Sequence, residues 1–151
     1  MVTTEIGFYH LQKWPLDRAL PRLLTQIQER GMRAVVLAGS EERVEALNSL
    51  LWTFATDSFL PHGSGRDGNG HRQPVYLTTV EENPNGATVL VLTDGMDSSR
   101  IGEFERCFDM FDGNDPDAVT AARARWKARK EAGYTLTYWQ QTDGGKWEKK
   151  G

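Results

Sequence analysis

A single cysteine, Cys107, in 151 residues excludes an intrachain disulfide. With only three scattered histidines beside it, the chain offers no zinc-ligand spacing, and Cys107 reads as a small buried apolar residue. No apolar run approaches the roughly 20 residues of a membrane helix. The first ten residues carry neither a basic start nor an apolar core, so the expected compartment is the cytoplasm. A Walker A sequence, internal repeats and low-complexity linkers are all lacking. A net charge of -3 is too small for bulk coating of a polyanion. The composition, 38% hydrophobic and 26% charged, is that of a globular chain long enough for one domain and too short for two ordinary ones.

The aromatic stretch Glu5 to His10 predicts a first strand. Leu16, Leu20, Leu23, Leu24 and Ile27 recur at helical spacing and Gly31 supplies a left-handed stop. Pro21 favours a start capped by Asp17, which places the proline at the end of the first turn, over a start at Pro15, which would need a kink. Ala34 to Ala38 is an apolar run of the kind buried on both faces of a parallel sheet. Ser40 then caps a helix carrying Val44, Leu47, Leu50 and Leu51 on one side and ending near Trp52. Glu41 and Glu42 in its first turn suit the helix dipole and would repel a phosphate.

Gly63, Gly65 and Gly68 spell G-x-G-x-x-G. A dinucleotide fingerprint must open a helix, whereas this one precedes the strand-like Val75 to Thr78, so Gly63 to Gly70 reads as a flexible loop. After the turn cluster Glu81 to Gly86, the run Ala87 to Asp94 is the strongest strand signal, and Asp94, with no phosphate loop to complement it, reads as a strand-end or turn residue. A short helix around Ser98 to Phe104 and a last strand around Glu105 to Phe111 follow. The alternation predicts an α/β fold: a single three-layer domain, with a mostly parallel sheet of about five strands and helices on both faces.

Charge is sorted along the C-terminal third. Glu103, Glu105, Asp109, Asp112, Asp115 and Asp117 stand against Arg106 alone, and then Arg123, Arg125, Lys127, Arg129 and Lys130 fall within eight residues, with Trp126, Tyr134, Tyr138 and Trp139 among or after them. Asp115 as N-cap, Pro116 at the first position and Gly133 at the end define one long helix. Its dipole accounts for one or two terminal cations but not for five. On the helical wheel Arg123, Lys127 and Lys130 share a face with Trp126 at its border, an arrangement suited to something acidic with an apolar end.

Several landmarks resemble the chi subunit family of the bacterial DNA polymerase III holoenzyme. They are Phe8-Tyr9-His10-Leu11, Leu51-Trp52 followed by Asp57-Ser58-Phe59-Leu60-Pro61-His62, Arg125-Trp126-Lys127, and Gly133-Tyr134 with Leu136. The resemblance implies a single α/β domain over residues 1–141 with a flexible tail at 142–151. It implies a noncatalytic accessory protein of the clamp loader, without cofactor or metal, acting in DNA replication as a protein–protein adaptor. Such proteins link the replicase to single-stranded-DNA-binding protein by gripping its acidic C-terminal tail, which ends in proline and phenylalanine. Carried over by position, the tail-binding residues are Arg123, Trp126, Lys127 and Tyr134. A possible psi-subunit interface falls on Trp52 and Phe59, and DNA is met only indirectly. The alternative from another class is a module that binds single-stranded nucleic acid directly, since cations interleaved with aromatics also suit that ligand.

Overall fold

The computed structural model describes residues 4–12, 15–53, 62–64, 74–142, 144 and 146–150. Strand-forming apolar runs give β1 (Glu5–Leu11), β2 (Ala34–Leu37), β4 (Val75–Thr78), β5 (Val89–Leu92) and β6 (Arg106–Asp112), with β3 (His62–Ser64), β7 (Thr135–Gln141) and β8 (Trp147–Lys149) beside them. The helices are α1 (Leu16–Glu29), α2 (Glu41–Thr53) and α3 (Pro116–Glu131), with a 3-10 turn at Ile101–Glu103. The strands form one sheet in the order β3-β4-β2-β5-β6-β1-β7-β8. Pairing is parallel except between β7 and β8.

The three-layer α/β expectation holds. The five strands expected from the sequence occupy adjacent places at the centre of the sheet, β4-β2-β5-β6-β1. What extends the sheet beyond them lies at its flanks: β3 on one side, β7 and β8 on the other. The strand around Glu105 to Phe111 is therefore not the last. Residues 147–149, within the stretch expected to be a flexible tail, pair with β7, and the Lys150 amide donates to the Tyr138 carbonyl at 2.7 Å. Gly63 and Ser64 belong to β3 rather than to a loop, and the rest of the glycine-rich stretch, 65–70, lies outside the described residues.

Alternation along the buried strands divides the core in two. Ala34 and Val36 face α1 and α2, where Leu20, Leu24, Ile27, Val44, Leu47 and Leu51 meet Leu77, Val89 and Val91. Val35 and Leu37 face the other way, toward α3 and the 3-10 turn, with Ile6, Phe8, Leu90, Leu92, Cys107, Phe111, Ile101, Phe104 and Ala122. Cys107 is buried and free, and burial pushes its thiol well above the usual range, so it stays protonated.

Helix α1 starts two residues earlier than the expected Asp17 cap. Pro15 is its N-cap with no side-chain cap, and Pro21 lies inside the helix. The proline withholds one backbone hydrogen bond from the Asp17 carbonyl, and burial of Ala19, Leu20, Pro21, Leu24 and Ile27 against the sheet outweighs that local cost. The Ser40 cap is as expected, its hydroxyl accepting from the Arg43 amide at 3.1 Å. Asp94 sits in a turn at φ 55°, where its carboxylate accepts from the Gly39 amide at 3.0 Å and from Arg43 Nε at 3.1 Å, tying the loops after β2 and β5 together.

Leu24 is fully buried, and truncating it removes contacts from both α1 and the sheet. Leu24→Ala is expected to lower the unfolding free energy by about 2 to 5 kcal/mol in a urea titration. Val80→Ala, at a residue 54% exposed, is expected to change it by less than about 0.5 kcal/mol.

Candidate functional site

Helix α3 begins as its sequence dictates, with the Asp115 carboxylate accepting from the Asp117 amide at 3.0 Å and Pro116 in the first turn. Its register on the sheet is fixed by charge. Asp109 of β6 points beneath the helix with its side chain 2% exposed. Arg125 grips that carboxylate with two bonds, Nε to Oδ2 at 2.8 Å and Nη2 to Oδ1 at 3.1 Å. Arg129, one turn on, adds Nη1 to Oδ2 at 2.8 Å and reaches Asp97 with Nη2 at 2.9 Å. The Arg129 guanidinium also lies over the Phe8 ring, 5.1 Å from its centroid.

Two of the five clustered cations are thus structural. The periodicity could have shown it, because Arg125 and Arg129 are four apart and lie on the same side as Ala122, the face the sheet buries. The acidic segment before α3, which looked like mere charge sorting, contains their counter-ion. Burial disfavours the Asp97 carboxylate, but the Arg129 hydrogen bond, the Ser98 amide and the nearby guanidinium charges more than offset this and hold its pKa below the ordinary value.

Turning Arg125 and Arg129 inward sends Arg123, Lys127 and Lys130 outward, and all three are exposed. Trp126, between the two sets, is half-buried. Its ring meets Phe8 edge-on at 5.2 Å and Tyr138 edge-on at 5.8 Å between centroids. Leu136 and Tyr138, alternate residues of β7, pack with Trp126 and Tyr134 against the same core. The result is a strip along α3 with cations on its outer edge and aromatic and aliphatic groups along its floor.

Arg123, Trp126 and Lys127 are brought together on this strip. Tyr134 lies three residues beyond the end of α3, after the turn at Gly133, with its hydroxyl over Gly102, where an added Cβ would stand 3.5 Å from it. Trp52 lies in the last turn of α2 with its side chain outside what is described, and Phe59 lies outside the described residues.

Tyr138 and His10 border the strip and were not among the expected site residues. His10 Nδ1 and the Tyr138 hydroxyl are 2.6 Å apart. A Cβ at Gly113 would fall on the His10 ring, so that glycine keeps the imidazole in place. Burial lowers the His10 pKa; the Gly113 backbone and Asp112 act upward, and the Arg123 charge acts downward. Burial raises the Tyr138 pKa, and Arg123 opposes it. The Arg123 charge thus acts on both members of this pair. Recognising β7 as a strand would have exposed Tyr138, since it follows Leu136 at the period of two.

A cleft of about 730 Å³ opens elsewhere, at the carboxyl ends of β1 and β6, but Asp17, Asp94, Asp112, Asp115 and Asp117 line it. Those acids would repel the kind of ligand that the α3 strip attracts. Among the described residues, no group of three or more His, Cys, Asp or Glu could hold a metal ion, and no helix is long and apolar enough to cross a membrane.

Residues 3–137 match the family model described as DNA polymerase III chi subunit, HolC. The chain belongs to the DNA polymerase III chi subunit family. It is also 31% identical over 107 residues to a protein of Rickettsia prowazekii (strain Madrid E) described as a probable DNA polymerase III subunit chi. That match covers 71% of this chain and 65% of the relative's length, so the chain spans just under two thirds of the curated relative it matches. In this family member, the buried Asp109 bridge and the exposed strip of α3 divide five neighbouring cations between structure and surface.

Asp109→Ala strands two buried guanidinium groups and should destabilise the fold by about 3 to 5 kcal/mol in chemical denaturation. Lys127→Ala should stay within about 0.5 kcal/mol of the parent. In an NMR titration His10 should take up its proton below pH 6.5, and Arg123→Ala should move that midpoint upward. Because the folded pKa is depressed, the unfolded chain binds the proton first. Any contribution of His10 to stability is therefore complete above about pH 6.5 and shrinks as pH falls from there toward the folded midpoint.

Proposed function

We propose that the protein is a noncatalytic accessory subunit of the DNA polymerase III holoenzyme, in its clamp-loader complex. In this reading it joins the replicase to single-stranded-DNA-binding protein by holding that protein's acidic C-terminal tail. Membership of the chi family supports the setting in replication, and a cytoplasmic location follows from that setting. The observation that carries the mechanism is the α3 strip, where exposed Arg123, Lys127 and Lys130 flank half-buried Trp126, with Tyr134 at its end.

The chemistry matches an acidic tail that ends in phenylalanine. A guanidinium–carboxylate hydrogen bond is worth about 1.5 to 3 kcal/mol. Burying a phenylalanine side chain against Trp126 and Tyr134 adds about 1.5 to 3 kcal/mol. From Arg123 to Lys130 the helix rises about 10 Å, the span of roughly three extended residues. Two or three such anchors, less the cost of ordering the tail, correspond to a dissociation constant of about micromolar. The binding should weaken with salt, because the cations are exposed. A psi subunit, if it binds, would do so at Trp52 and Phe59.

The second reading, direct binding of nucleic acid along α3, loses support from the Asp109 bridge. Once Arg125 and Arg129 are taken inward, three exposed cations remain within that run, a short row for a sequence-independent grip on a phosphate backbone.

Fluorescence polarisation with a labelled tail peptide tests the adaptor reading. Saturable binding is expected, falling at least about tenfold on Arg123→Ala or on removal of the peptide's terminal phenylalanine. Unchanged affinity in both cases would show that the site is elsewhere.

A further inference from the structure

The sheet has a second aromatic surface, on the face opposite α3. Register places Tyr9 of β1 beside Trp139 of β7, and Trp139 beside Lys149 of β8, so these side chains share one face across three neighbouring strands. The Tyr9 and Trp139 ring planes lie 17° apart with centroids at 6.2 Å, and Trp147 meets Tyr9 edge-on at 5.0 Å. The Trp139 indole N–H donates to Thr137 Oγ1 at 3.1 Å, which locks the ring in place. Helix α1 stands over β6, inward of β1, and a cleft of about 560 Å³ opens between Arg22, Gln26 and Glu29 of that helix and Tyr9, Trp139 and Trp147. All three rings are half-buried, with part of each open to solvent.

The charges around this cleft are mostly positive, although the chain as a whole is acidic. Arg22 lines it together with Glu29, Lys149 adjoins Trp139, and Arg106 stands beside Glu5 on the neighbouring strand. Aromatic faces held rigidly on a sheet, with cations at their margin, are what a flexible polyanion carrying flat bases requires. A proline-rich peptide would also use the aromatic ridge, but it would gain nothing from the cations.

We propose that this cleft binds single-stranded nucleic acid, stacking bases on the surface that Tyr9 and Trp139 form while Arg22 and Lys149 contact phosphates. The site is on the far side of the sheet from the α3 strip, so a peptide tail and a nucleic-acid strand can be held at once. The inference stands on the cleft's own geometry and does not rest on the peptide assignment.

The test is a titration of the full-length protein with a thymidine oligonucleotide of about 12 residues, enough to cross a site of this class. Tryptophan fluorescence is followed at several salt concentrations. Saturable quenching is expected, with log K falling against log salt by about 0.7 for each phosphate contact. Trp139→Leu should remove most of the quench. The double variant Arg22→Gln/Lys149→Gln, which leaves the rings in place, should weaken binding about tenfold. Affinity for the labelled tail peptide should stay unchanged in both variants, separating this site from the α3 strip. Absence of saturable binding at low salt would overturn the proposal. So would binding lost on Lys127→Ala but kept in the Trp139 and Arg22/Lys149 variants, or a cleft that takes a proline-rich peptide and no oligonucleotide.

Discussion

The carboxylate of Asp109, buried under α3 and shared by Arg125 and Arg129, is the contact on which the candidate site depends. Three charges taken out of water carry a desolvation cost of several kcal/mol each, recovered only where geometry is good. Here the geometry is a two-bond fork from Arg125 and a further bond from Arg129. An apolar trio of similar volume could match its stability. It could not match its directionality, because a helix packed by alanines alone slides and rotates with little penalty. The bridge sets the rotation of α3, and that rotation decides which cations reach solvent.

Arg129 extends the same constraint outward. Its second bond, to Asp97, ties α3 to the loop before the 3-10 turn, and its guanidinium covers Phe8, whose ring in turn supports Trp126. The floor of the site is therefore built on the same residues that dock the helix. The opposite face follows different physics: Tyr9, Trp139 and Trp147 are positioned by strand register and edge-to-face packing, with no buried charge among them. One sheet thereby presents two dissimilar surfaces, a cationic strip with an apolar floor and an aromatic platform with cationic margins.

Much of this was legible in the residues. Ala34–Leu37 and Val89–Leu92 are buried on both faces and read as continuous apolar runs, while the Asp115-Pro116 start of α3 is written in capping chemistry. The flanking strands were not legible for the opposite reason. In β7 every residue but Gln141 is exposed or half-buried, so no apolar run marks it, and the three residues of β8 are too few to carry a pattern. Missing β7 hid both Tyr138 on one face and Trp139 on the other. The cation cluster was legible as charge but not as direction, since composition cannot tell an arginine that points inward to a carboxylate from one that points to water. Pro21 misled because local preference yielded to the burial of α1 on the sheet.

The proposed function requires that the outward face of α3, beside Trp126, receive an acidic peptide terminus. The most direct measurement is an NMR titration of the labelled protein with the tail peptide, following the tryptophan indole N–H signals, which report separately on the two faces. The Trp126 signal is expected to shift progressively to saturation while those of Trp139 and Trp147 stay in place. Shifts at Trp139 or Trp147 with Trp126 unmoved would contradict it.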